Sequence, residues 1–159
     1  MSLLFTGLFS GFLLCVLVLE TSLRGFDGSV YTQVRVVELD SLDKLAAVTL
    51  IPAFVATVVV AVRSRGSARR MVLAAVALLV VVFVTTIVVN LPINSDQLSW
   101  SVQQPPSDWA SVRDRWQLAH LVRTVAAVVA FGVLLSEQVV GDRVGLVVVE
   151  AGRGVGHRQ

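Results

Sequence analysis

His120 and Arg123 stand three residues apart in an aliphatic stretch, and Arg113, Trp116, Gln117 and Thr124 share their spacing of three and four. On a helix these positions form one stripe covering about a third of the circumference. The stripe joins an imidazole, which exchanges protons near neutral pH, to a guanidinium, whose charge is fixed. Such a pair can move a proton or hold an anion. Upstream, Asn90 and Asn94 add two amides four residues apart, and Glu20 closes the first apolar run of the chain.

The elements that must position these groups are membrane spans. Of 159 residues, 55% are hydrophobic and 15% charged, against roughly a quarter charged in soluble domains. Thirteen Lys and Arg against eleven Asp and Glu leave a net charge of +2, which excludes a nucleic-acid surface. The single Cys15 permits neither an intrachain disulfide nor a cysteine metal site. Apolar runs at about 2–23, 45–62, 71–91 and 112–139 approach the ~20 residues needed to cross a bilayer. The expected fold is all-α: one integral membrane four-helix bundle over residues 1–140, followed by a weakly ordered cytoplasmic tail, 141–159.

The first run lacks a basic leader and a small-residue cleavage pattern, so it reads as a retained anchor. Arg63, Arg65, Arg69 and Arg70 crowd a short loop without an acid, which places that loop and both termini in the cytoplasm. Residues 24–44 then form a partly helical extracytoplasmic first loop, in which the spacing of Val30, Val34, Val37 and Leu45 predicts a helix lying on or leading into the membrane. Pro92 is expected to stop the third helix, leaving 93–111 irregular. Pro52 interrupts the second span without ending it.

This topology carries Glu20, Asn90 and the His120/Arg123 pair to one depth near the extracytoplasmic side. An arginine at that depth facing lipid costs at least about 2.5 kcal/mol, so Arg123 must meet a carboxylate, a ligand or water. Glu20 is either its structural ion-pair partner or part of a site, and His120 either works chemically or packs by a hydrogen bond to Asn90. Trp100 and Trp109 read as an interfacial aromatic belt. Gly7 and Gly11 form a close-approach motif for a neighbouring helix or a second copy. With His157 in the tail at the opposite side, His120 lacks partners for a metal, and no metal is expected. Dinucleotide, phosphate-loop and nucleophile-elbow motifs are absent.

The residues N-L-P-I-N from Asn90, a following Trp, D-W at Asp108–Trp109, and R-x-R-W-x-x-x-H-x-x-R-T from Arg113 resemble the small four-helix membrane family that includes the anthrone oxygenases of aromatic polyketide pathways. The opening G-L-F-S-G-F, the long extracytoplasmic first loop and the final apolar helix are similar too, so the resemblance covers most of residues 1–140. The resemblance implies oxidation of an activated methylene in a polycyclic phenol, with molecular oxygen as co-substrate and no cofactor. It carries onto Asn90, Asn94, Trp116, His120 and Arg123; chemistry adds Glu20, and the stripe adds Gln117 and Arg113 as substrate contacts. In that scheme His120 removes the proton, Arg123 or Asn90 holds the oxyanion, and the carbanion reacts with oxygen to a peroxide that loses water. The implied partners are the lipid bilayer and an apolar aromatic small molecule, in a bacterial cytoplasmic membrane. Two other readings stay open: a non-catalytic scaffold assembled through helix contacts, and a small lipid or metabolite transporter component.

Overall fold

The computed structural model describes the backbone of residues 1–156 and the side chains of residues 1–139. The order is α1 (Ser2–Ser22), a 3-10 turn (Leu23–Gly25), α2 (Gly28–Arg63), α3 (Gly66–Thr85), a π-helical turn (Thr86–Asn90), α4 (Leu91–Gln97) and α5 (Trp109–Gly156). Four segments are long and apolar enough to cross a membrane: Ser2–Gly25, Gly28–Arg63, Gly66–Gln97 and Trp109–Val139. α1 and α3 each pack against both α2 and α5, closing a four-helix ring.

Large aliphatic side chains point outward, among them Val48, Val55, Val88, Leu118 and Val125, while Glu20, Arg35, Asn90, His120 and Arg123 are buried. A soluble protein does the reverse. Backbone groups bonded within helices and an apolar exterior are what a hydrocarbon solvent demands, so the chain is built as an integral membrane protein. Inside, small residues of α5, Ala126, Ala127 and Ala130, let the helices approach closely.

The two halves of the glycine motif separate. A Cβ on Gly7 would meet the Phe131 ring at 3.0 Å, whereas Gly11 faces open space. Gly7 is therefore occupied by α5 of its own bundle. Ser2 Oγ lies 3.0 Å from Thr57 Oγ1, fixing the start of α1 beside the last turns of α2. The arginine-rich α2–α3 turn consequently lies at one end of the bundle, and Glu20 at the other.

No separate first loop exists between α1 and the second span. α2 starts at Gly28, capped by Asp27 Oδ1, which accepts from the Ser29 and Val30 amides at 3.0 Å, and it meets no breaker before Pro52. At ~1.5 Å per residue its 36 residues extend about 54 Å, well beyond a ~30 Å hydrocarbon layer. The polar half of the helix thus continues the span and buries Tyr31, Thr32, Arg35, Glu38 and Leu39 on one face.

Gly28 is sterically required. A Cβ there would lie 2.8 Å from Nε1 of Trp109, a ring that packs on Tyr31 with centroids 5.6 Å apart. Gly28→Ala must displace the indole, and a loss of about 1–3 kcal/mol is expected, the usual penalty of overpacking, measured as a lowered unfolding midpoint in detergent.

Pro92 does not stop the third span. A proline clashes with the carbonyl four residues back and cannot donate to it; the π turn at Thr86–Asn90 widens the helix just before it and resets the register. Pro92 then falls in the first turn of α4, where no donor is needed. The helical path continues to Gln97, which places Asn90, Asn94 and Gln97 in the interior. At its other end α5 runs past the expected limit near Val139 to Gly156. His157 lies outside the described residues.

Candidate functional site

The polar interior begins with Arg35, a residue of α2. Its Nη1 donates to Glu20 Oε1 at 3.0 Å and to Glu38 Oε2 at 2.6 Å. Nε and Nη2 reach Gln97 Oε1 at 3.1 and 2.9 Å, and Nη2 also reaches Asn94 Oδ1 at 3.0 Å. All the donors of this guanidinium are used. Glu20 is completed by Gln117 Nε2, which donates to Glu20 Oε2 at 3.0 Å and to its carbonyl at 2.7 Å.

Glu20 therefore pairs with Arg35, not with Arg123. The α1–α2 turn is short, so Arg35 enters the bundle at the level of Glu20. Helical spacing alone could have signalled it: Tyr31, Arg35, Glu38 and Leu42 lie three or four residues apart, continuous with the apolar face of the second span. A helix aligned on Val30, Val34 and Val37 and assigned to an extracytoplasmic loop hides that continuity.

Trp116 lies between the two arginines. The Arg35 guanidinium sits 4.2 Å above its ring, and His120 stacks on it at 4.9 Å with planes 8° apart. Its Nε1 donates to Asn94 Oδ1 at 2.6 Å. Asn90 donates to the Trp116 carbonyl at 3.3 Å, so it braces the stack; it makes no bond to His120.

His120 uses both ring nitrogens. Nε2 is 3.0 Å from the Leu13 carbonyl, which can only accept, while Nδ1 receives Arg123 Nε at 3.0 Å and Nη2 at 2.8 Å. These partners fix a neutral ring protonated on Nε2. Arg123 Nη1 makes one long bond of 3.4 Å to Thr86 Oγ1. Among the described residues no carboxylate comes within ion-pair distance of Arg123, although it is only 7% exposed. N–H groups on Nη1 and Nη2 remain for another partner.

Arg123 also lines a half-open cavity of about 150 Å³ bounded by α2, α3, the π-helical turn, α4 and Phe9 of α1. Its wall is apolar except for Asp43, Thr86, Asn94 and Arg123. Ile51, Ile87 and Leu91, which also line it, are exposed on the outer surface, so the opening between α2 and α3 gives onto lipid. Asn94 Nδ2 donates to both oxygens of Asp43, at 3.0 and 3.1 Å. A narrower space of about 20 Å³ behind it touches Asp43, Glu38, Trp116 and Arg123.

The expected site residues thus divide. Arg123 and Asn94 border the cavity, and Trp116, His120 and Asn90 form the scaffold behind Arg123. Glu20 and Gln117 belong to the Arg35 network. Arg113 lies at the margin, 3.0 Å from Asp114 and over the Trp109 ring. Trp100 is buried in a cluster with Tyr31 and Val112, and Trp109 packs on it. The two tryptophans cap this end of the bundle from inside, in place of the expected outward belt. Asp43 is the cavity residue that the sequence did not single out.

The segment carrying this cavity also matches a known family. Residues 42–133, more than half of the chain, match the family model described as anthrone oxygenase. The chain belongs to the anthrone oxygenase family. Neither a curated protein nor a solved structure matches it. The matched stretch spans Asp43, Asn94, His120 and Arg123, so the anthrone oxygenase segment includes every polar group of the cavity wall. Glu20 and Arg35 lie before it. Among the described residues no three His, Cys, Asp or Glu side chains converge as metal ligands would.

Proposed function

We propose that this chain oxidises an activated methylene of a polycyclic phenolic substrate with molecular oxygen. The observation that carries the reading is Arg123, a buried guanidinium with no carboxylate within 4.0 Å among the described residues, lining a largely apolar cavity. An uncompensated buried cation calls for a negative partner. A methylene flanked by aromatic rings and a carbonyl supplies one when it ionises, because the electron pair delocalises onto oxygen. Donors fixed where charge develops, in a site that excludes water, stabilise that anion by roughly 3 kcal/mol each.

The electron balance needs oxygen alone as oxidant. The carbanion gives two electrons to oxygen and forms a carbon–oxygen bond to a peroxide; loss of the second methylene proton and cleavage of the oxygen–oxygen bond yield a carbonyl and water. No cofactor enters this scheme. Both the substrate and oxygen partition into hydrocarbon, and rings too large for the enclosed part of the cavity can project between Ile51 and Ile87. With the arginine-rich turn on the cytoplasmic side, the cavity lies toward the extracytoplasmic side.

The test uses purified protein in lipid nanodiscs supplied with anthrone in air. The expected result is one oxygen consumed and one quinone formed per anthrone, with one atom of labelled oxygen in the product. Oxidation no faster than in protein-free nanodiscs would sink the reading.

A further inference from the structure

We propose that Asp43, not His120, takes the methylene proton. The inference rests on the oxygenase reading above and concerns which atom of that site acts as base. A base must lie where the substrate lies and keep a lone pair open. His120 meets neither condition: it does not border the cavity, its Nδ1 is filled by Arg123, and its Nε2 proton is given to Leu13. Asp43 meets both. Among the described residues it is the one carboxylate in the cavity wall, only half-buried, with Asn94 Nδ2 as its hydrogen-bond partner and no cation within 4.0 Å. A carboxylate accepts at about four lone-pair positions, so the single amide leaves acceptor capacity for substrate.

Asp43 comes from α2 and Arg123 from α5, so a flat substrate held between them presents its methylene to the carboxylate and its oxygen to the cation. The carbon–hydrogen bond breaks, the proton forms an O–H on Asp43, and the electron pair moves through the ring system to the oxygen beside Arg123. After oxygen adds, the same proton returns to the peroxide. Asp43 then takes the second methylene proton while the oxygen–oxygen bond breaks, and that proton joins the departing hydroxide to make water. Protons and electrons close on one quinone and one water. Asn94, which bonds Asp43 with its amide nitrogen and Trp116 and Arg35 with its oxygen, positions the base.

Proton removal can be read without oxygen. Anthrone in nanodiscs is followed by NMR under argon for deuterium uptake at the methylene, and its binding is followed by quenching of tryptophan fluorescence. Wild type is expected to accelerate exchange; Asp43→Asn should slow it by about 10²–10⁴-fold while still binding anthrone, and Asp43→Glu should restore part of the rate. His120→Gln, which loosens only the brace behind Arg123, should slow exchange far less than Asp43→Asn. Wild-type exchange in Asp43→Asn, or loss in His120→Gln with Asp43→Asn intact, would overturn the assignment and leave the oxygenase reading standing. Wild type with neither exchange nor oxygen uptake removes both.

Discussion

Arg123→Gln is expected to lower anthrone turnover by about 10²–10³-fold, the loss seen when one fixed donor to a developing oxyanion is removed. Arg123→Lys should recover only part of it. An ammonium lacks the planar fork that now holds His120 Nδ1 with two N–H groups while leaving others for substrate. The same variants separate catalysis from scaffolding. Arg123 has no carboxylate within 4.0 Å among the described residues, so Gln breaks no ion pair and the unfolding midpoint should hold or rise. A fall in midpoint parallel to the fall in rate would make Arg123 a structural residue. Turnover is read from quinone absorbance, and stability from thermal unfolding in the same nanodiscs.

Arg35→Met is expected to do the opposite: to destabilise first. Arg35 bridges Glu20 and Glu38 at 3.0 and 2.6 Å, with all three side chains buried. Its removal leaves two carboxylates buried without their cation, and breaking a buried pair in this way costs about 3–5 kcal/mol. Gln97 and Asn94 lose their shared donor as well. The double change Glu20→Gln with Glu38→Gln in the Arg35→Met background should regain much of the loss, because no charge then stays buried. Resistance to denaturation by sodium dodecyl sulfate measures both. If Arg35→Met unfolds like wild type, the network does not tie α1 to α2.

These two arginines show how far sequence reading reaches. Arg123 was legible because it breaks an aliphatic run in a span, where a charge is expensive enough to demand a reason. Arg35 sits among Gln33, Glu38 and Asp40, where an arginine looks ordinary. Only the unbroken course of α2 from Gly28 into the second span turns it inward. Pro92 misled for a related reason: local chemistry says that proline ends a helix, and the π turn that accommodates it is a tertiary choice. That turn brings Asn94 beside Asp43, and the assignment of the base depends on it.

By itself, then, the sequence determined four apolar helices, their membrane character, the polar stripe from Trp116 to Thr124 and the family resemblance. Each of these follows from composition and period, which are local properties of the chain. Which polar groups pair with which was decided only in the tertiary structure. Glu20 could satisfy either arginine, and His120 could bond Asn90 or a residue of another helix. Burial settles such choices, because a partner in hydrocarbon must be found within hydrogen-bond reach, and the packing of α2 against α1 and α4 gives Arg35 to Glu20 and Asn94 to Asp43. Arg123 is left lining the cavity.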